Sequence, residues 1–310
     1  MPMTLQQLQY VVAVDKFRSF AKAADSCGIT QPTLSKMVAN LEEELDVRIF
    51  ERNSRNVSPT AIGGRIVAQA VRTLMEAERI REIVAETKDS LSGEFKLSVG
   101  PSIAPYILPE FIRHYGEDWP GVSMSIEERR PENMFDALLA GTIDAAISSG
   151  GRGRDGIFEI PLYEEPFWVY LSEQCRQREP SFTPEMLSHE NMWVMREAQC
   201  LRESAFSFCK ARDVGRRVYE AGNLETLIRV VDTNGGFTII PEMHLPLLSE
   251  RQRTNVRPLT GQYRSMRRVS LYIRHDYVRE KMLNSVVSTL LKVIPRHLAD
   301  SYILNNPIRL

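Results

Sequence analysis

The sequence predicts two architectures in series: about ninety residues of α-helix, then roughly 210 residues of α/β. Three observations carry this reading. Up to about residue 90, Gly and Pro are sparse and apolar residues recur every three or four positions. From Ala61 to about Lys88 there is no Gly after Gly64 and no Pro, while Val67, Ala70, Leu74, Ala77, Ile80 and Val84 form a narrow apolar stripe. At Ser92-Gly93 the period changes, and Phe95, Leu97 and Val99 alternate with polar residues as in a strand.

Within the helical part, Leu5, Leu8, Val11, Val12 and Ala13 make one amphipathic stretch, and Phe20 to Cys27 make a shorter one that Gly28 ends at a C′ position. Thr30 is the expected cap of a third helix, with Pro32 in its first turn, where a missing N–H costs nothing. Helix, turn, helix is the unit that sets its second helix in a DNA groove. RIFERNSRNV at 48–57 reads as a short wing, with Phe50 inward and Arg52 and Arg55 projecting. The stripe that follows is too narrow to bury well against a small domain, so a partner helix from a second subunit is its natural cover. Beyond residue 92, strands at 95–99, 122–128, 143–147, 159–162, 167–171, 192–195, 217–220, 237–241 and 269–273 alternate with helices. That order predicts βαβ units and a largely parallel sheet in two lobes.

Composition narrows the function classes. The 310 residues are 43% apolar and 25% charged, which excludes a disordered or collagen-like chain. No apolar run approaches the ~18 residues that a membrane span needs. MPMTLQQLQYVV has no basic leader and no long apolar region, so a cytoplasmic protein is expected. The net charge of −1 argues against a polybasic coat, and over residues 1–62 seven Lys and Arg meet seven Asp and Glu. Position therefore decides: Glu42 to Glu44 fall late in the third helix, whereas Gln31, Pro32, Thr33, Ser35 and Lys36 occupy its first turns. Gln31, Thr33, Ser35 and Lys36 can donate hydrogen bonds to base edges and phosphates of double-stranded DNA, and Arg52 and Arg55 can reach the flanking backbone.

The stretch from Leu5 to Gly63 resembles the winged helix-turn-helix of LysR-type transcriptional regulators, and the helix and two-lobed remainder agree with that family's layout. The resemblance implies a winged helix-turn-helix domain over 1–60, a linker and dimerisation helix over 61–91, and a periplasmic-binding-protein-like regulatory domain over 92–310. It also implies a homodimer through the linker helix, a homotetramer of two such dimers, and contact with RNA polymerase at promoter operators.

A second resemblance lies in QCLRESAFSFC, from Gln199 to Cys209, which is similar to the segment holding both redox cysteines in the hydrogen-peroxide-sensing OxyR group of that family. PSIAPYILP at 101–109 is similar to a polar loop near the reactive cysteine, with Ser102 where threonine is usual. The resemblance also sets Arg274 near the thiolate, and Gln199 stands where the group often has histidine. It is the thiolate that attacks peroxide, and Cys200, expected at a helix start beside Arg202, would have the lowered pKa that this chemistry needs. Were 200–209 one helix, the sulfurs would stand about 13.5 Å apart along its axis, whereas a disulfide needs Cα atoms within roughly 7 Å. Oxidation then has to unwind the segment, with Cys209 resolving a sulfenic acid on Cys200. Cys27 and Cys175 are expected to be structural.

Enzyme motifs are missing from the sequence: there is no phosphate-binding G-x-x-x-x-G-K-[ST] loop and no H-E-x-x-H, and the five histidines, at 114, 189, 244, 275 and 297, show no ligand spacing. No cofactor or metal is expected, and isolated histidines are taken as packing or surface residues. Two rivals remain: a LysR-type regulator with a metabolite in the interlobe cleft and silent cysteines, and a two-lobed enzyme or solute-binding protein, for which the helix-turn-helix has no purpose.

Overall fold

Residues 2–53, 56–86, 91–150, 154–175, 182, 192–195, 216–219, 224–259 and 266–309 are described by the structure, a computed structural model. The chain divides into two units, Met1–Asp89 and Ser90–Leu310.

The first unit is built from α1 (Leu5–Phe17), α2 (Phe20–Ser26), α3 (Gln31–Glu44), the hairpin β1 (Phe50–Asn53) and β2 (Asn56–Pro59), and α4 (Ala61–Glu86). Thr4 and Gln7 form a reciprocal capping box at the start of α1. Gly28 takes a left-handed φ of 66° just beyond α2, the C′ position the sequence assigned to it. Leu8, Val11 and Val14 of α1 pack on Ala23 and Ala24 of α2, whose small side chains let α3 deliver Leu34, Val38 and Leu41 to the same core. Leu5 departs from the expected stripe and is exposed, because it stands at the first helical residue while Gln7 and Tyr10 take inner positions. Val67 and Ala70 of α4 are buried in this core, but Ile80, Ile83 and Val84 further along the helix are exposed.

The second unit is a nine-stranded sheet in the order β4-β3-β5-β11-β6-β9-β7-β8, with β10 beside β6. Its strands are β3 (Gly93–Val99), β4 (Val122–Glu128), β5 (Ala145–Ser148), β6 (Ile157–Leu171), β7 (Met192–Met195), β8 (Arg216–Tyr219), β9 (Phe237–Pro241), β10 (Val256–Pro258) and β11 (Met266–Arg274). Helices α5 (Ala104–Asp118), α6 (Pro131–Leu139) and α9 (Glu280–Val293) belong to the first lobe, α7 (Leu224–Asn234) and α8 (Glu250–Arg253) to the second, and α10 (Ser301–Asn305) closes the chain.

The sheet is mixed rather than largely parallel. β3, β4 and β5 pair in parallel, as do β7, β8 and β9, so each lobe keeps its own βαβ unit. β6 and β11 are antiparallel to each other, and β6 is antiparallel to β9. The two stretches expected at 159–162 and 167–171 are one strand, β6, that belongs to both lobes: it pairs with β11 up to Pro166 and with β9 from Phe167 onward. A register shift opposite Val269/Ser270 accommodates Pro161, which has no N–H to give the ladder. The lobes therefore meet at Glu165 to Phe167.

Candidate functional site

In the first unit, α3 presents Gln31, Pro32, Thr33 and Lys36 to solvent, with Ser35 half-buried, while Leu34, Val38 and Leu41 hold the opposite face in the core. Thr30 is the N-cap residue, but its hydroxyl makes no capping bond and pairs instead with the Thr33 hydroxyl at 2.8 Å. Arg52 lies in β1 opposite Val57; its side chain, and the whole of Arg55, fall outside the described residues.

The wing is fixed to the reading helix by a residue that sequence reasoning left as a late-helix acid. Glu42 is buried, and its Oε1 accepts the amides of Ile49 at 2.7 Å and Phe50 at 3.1 Å. Thr60 completes the joint, its hydroxyl donating to the Arg48 carbonyl at 2.7 Å and accepting from the Gly63 amide at 2.9 Å. A Cβ at Gly63 would stand 1.9 Å from the Ile49 carbonyl oxygen, so only glycine lets α4 start this close to the wing.

In the second unit, the polar centre lies at the lobe junction, and of the two described residues singled out there by sequence, Ser102 belongs to it and Arg274 does not. Arg267 of β11 is buried and donates from Nε to Glu165 Oε1 at 2.7 Å, from Nη1 to Ser102 Oγ at 3.2 Å, and from Nη2 to the Ser102 carbonyl at 3.2 Å and to the Tyr106 hydroxyl. The other oxygen of Glu165 accepts the Met243 amide at 2.8 Å. Met243 is the second residue of the turn Glu242–Leu247 that follows β9, so one ion pair ties α5, β6, β11 and the exit from β9 together. Burial, the largest single influence, would lower the Arg267 pKa, but Glu165 together with Tyr106 and Tyr163 outweighs it and drives the value further up, so the guanidinium is a permanent charge. His244 follows Met243, is buried, and meets the Tyr106 ring edge-on at 6.2 Å between centroids.

Strand geometry separates Arg274 from this centre. Arg267, Val269, Leu271 and Ile273 share one face of β11; Arg274 lies on the other face, seven residues away, or roughly 23 Å at 3.3 Å per residue. There it pairs with Asp276 at 3.3 Å. Arg267 is thus the arginine that meets Ser102, and the Cys200 thiolate near which Arg274 is expected lies outside the described residues. The signal was available: Arg267 interrupts an apolar face at strand spacing, and a charge there is buried only if paired. Gln199, Cys200, Arg202 and Cys209 all lie outside the described residues. Among the described residues no group of His, Cys, Asp and Glu is arranged to hold a metal, and no helix is long and apolar enough to cross a membrane.

Comparison with known proteins defines the class. Residues 5–64 match the family described as bacterial regulatory helix-turn-helix protein, lysR family, and residues 88–295 match the LysR substrate binding domain. The chain belongs to the LysR family of bacterial transcription regulators.

Within that family it is an OxyR-like regulator. It is 32% identical over 257 residues to the hydrogen peroxide-inducible genes activator of Pectobacterium carotovorum subsp. carotovorum, covering 82% of this chain and 84% of the relative. To the transcriptional dual regulator OxyR of Escherichia coli (strain K12) it is 31% identical over 256 residues, covering 82% and 83%. Its fold resembles a full-length OxyR cysteine-to-aspartate variant from Pseudomonas aeruginosa, with TM-score 0.78, 27% identity and coverage of 97% and 99%. It also resembles a peroxide-bound cysteine-to-serine OxyR variant from Corynebacterium glutamicum, with TM-score 0.59, 26% identity and coverage of 94% and 93%. These relatives are transcription regulators, not enzymes.

Proposed function

We propose that this chain is a cytoplasmic, peroxide-responsive regulator that binds promoter DNA and senses its signal through Cys200 and Cys209. The observation that carries the reading is the buried guanidinium of Arg267 beside Ser102, at the end of the lobe junction toward which β7 directs the chain. β7 runs parallel to β9 with Met192 opposite Phe237, so Met195 comes level with Ile240 and the chain leaves both strands at the same end of the sheet. From β9 that end leads to Met243, whose amide bonds Glu165. Cys200 is five residues past Met195, a reach of up to ~17 Å. A fixed cation that comes to lie beside a thiol lowers its pKa and supplies the thiolate that reacts with peroxide.

The chemistry balances with peroxide as the only oxidant. The Cys200 thiolate gives an electron pair to one peroxide oxygen, the O–O bond breaks, and the departing hydroxide takes a proton to become water. Cys209 then attacks the sulfenic sulfur, its proton leaving with the second hydroxide, so two thiols and one peroxide become one disulfide and two waters. In this reading Arg267 takes the part that resemblance gave to Arg274, and Gln199 and Arg202 flank the reactive sulfur.

On DNA, Gln31, Thr33 and Ser35 read base edges, Pro32 sets the helix start, and Lys36, Arg52 and Arg55 hold phosphates. The exposed Ile80, Ile83 and Val84 of α4 support pairing of two subunits along that helix. Pairing of dimers into tetramers and contact with RNA polymerase belong to the same reading. Nonreducing peptide mapping after dilute peroxide tests the sensor: a linked Cys200–Cys209 peptide is expected, lost in Cys200→Ser and kept in Cys27→Ser. Linkage through Cys175, or free thiols only, overturns it and favours a metabolite in the interlobe cleft.

A further inference from the structure

Across β6 from the Arg267 centre, the second lobe carries an open cavity of about 460 Å3 lined by Trp168, Leu245, Pro246, Arg253 and Val256. Its size falls in the range of small-molecule sites. Successive residues of a strand face opposite ways: Phe167 lies against the Arg267 guanidinium, whereas Trp168 packs with Leu245 and Val256 on the cluster that includes Leu227 and Val231 of α7. The cavity is therefore separate from the polar centre at the lobe junction. Its indole wall is held in place, because Trp168 Nε1 donates to Glu242 Oε2 at 3.3 Å and the other oxygen of Glu242 meets His297 Nε2 at 2.7 Å.

Among the described lining residues only Arg253, the last residue of α8, is charged. Its Nε donates to the Leu248 carbonyl at 3.1 Å and its Nη2 to the Pro246 carbonyl at 2.9 Å, so both bonds fix the guanidinium without neutralising it. Neighbouring arginines differ: Arg251 pairs with Glu173, and Arg229 with Glu225. A guanidinium that has given two of its five N–H groups keeps three for an acceptor. We infer that this cavity binds a small aromatic carboxylate, its ring set among Trp168, Leu245, Pro246 and Val256 and its carboxylate accepting hydrogen bonds from Arg253. The apolar walls call for an apolar body, the flat indole face suits an aromatic ring, and a held cation with no acid in the lining selects an anion. Such a ligand is a second input to the regulatory unit, distinct from peroxide, and it requires nothing of Cys200 or Cys209.

The test titrates the reduced full-length protein, labelled with 5-fluorotryptophan, with 2-naphthoate and with its uncharged analogue 2-naphthalenemethanol. The fluorine spectrum reports Trp119, Trp168 and Trp193, and Trp168→Phe assigns the signal of interest. The expected result is a saturable shift of the Trp168 resonance with 2-naphthoate and an affinity for the alcohol weaker by about tenfold or more, the size of a lost charge-assisted hydrogen bond. Arg253→Gln should bring the acid down to the level of the alcohol. Val256→Phe fills the cavity and leaves the guanidinium in place, so it should abolish both shifts, and it keeps the test decisive should Arg253→Gln fold poorly. Equal affinity for acid and alcohol overturns the inference, since the cavity would then be an apolar surface only. An unmoved Trp168 signal at about 10 mM acid, where even a weak small-ligand site fills, overturns it too, as does full binding in Val256→Phe. No peroxide is present in any titration, so these outcomes are independent of the sensing reading, which the peptide map alone decides.

Discussion

Arg267 and Glu165 are the residues on which the regulatory unit's two lobes depend, with side chains 3% and 0% exposed. Each charge is removed from water, so the pair contributes modest net stability, but taking away one partner strands the other. Arg267→Met is expected to cost about 3–5 kcal/mol, and adding Glu165→Gln should recover much of it, because no unpaired charge then remains buried. Arg274→Ala should cost under about 1 kcal/mol, since its partner Asp276 is half-exposed. Urea titrations of the four proteins check this; equal losses at Arg267 and Arg274 would contradict the strand geometry. His244 adds a pH dependence. Its folded pKa is about 4 against an ordinary 6.5, so between those values the unfolded chain binds more protons. Stability is therefore full above pH 6.5 and falls as the pH drops toward 4, by up to about 3 kcal/mol. His244→Phe should flatten that part of a melting-temperature profile against pH.

The elements show which sequence signals suffice and which do not. The helix-turn-helix was legible because Gly28, Pro32 and the Leu34, Val38, Leu41 spacing each act locally, through backbone conformation or a single helix face. The tie from Glu42 to Ile49 and Phe50 was not, since a carboxylate in an acidic run gives no sign of which of its members turns inward. The same holds for the sheet: alternation located nearly every strand, but direction depends on which strand crosses between lobes, and β6 carries no local mark of belonging to both. Ser102 was found through a resemblance, and Arg267 was missed because a second arginine on the same strand fitted that resemblance by position while facing the other way. At this scale α3 makes its own prediction. Gln31→Ala should weaken specific DNA binding by ~1–3 kcal/mol and relax sequence preference, because a base contact is lost. Arg52→Ala should instead weaken binding to all sequences alike and reduce the salt slope by about one, as loss of a phosphate contact does. Competition binding at several salt concentrations separates the two, and a Gln31→Ala protein that keeps its preference would move the reading face elsewhere.

For the whole molecule, the proposed function puts reading and sensing in different units: Gln31 and Arg52 lie within Met1–Asp89, and Cys200 and Cys209 within Ser90–Leu310. A disulfide between the two cysteines would form within the second unit, whereas the proposed base contacts belong to the first. What it can change is the surface of the regulatory unit, because closing two sulfurs nine residues apart is incompatible with an intact helix between them. In an assembly whose subunits meet through that surface, the angle between subunits follows it, and dimers that dock on half-sites one helical turn apart engage only the half-sites their geometry allows. Oxidation should therefore redistribute contacts along the operator more than it alters affinity. Footprinting of reduced and oxidised protein at one fixed salt concentration reads this directly: protected boundaries or hypersensitive positions should shift while half-saturation moves little. A large loss of affinity with unchanged boundaries would mean that the redox event reaches the reading helix itself. Identical footprints, with metabolite-dependent shifts in a Cys200→Ser, Cys209→Ser protein, would return the regulatory signal to the interlobe cleft.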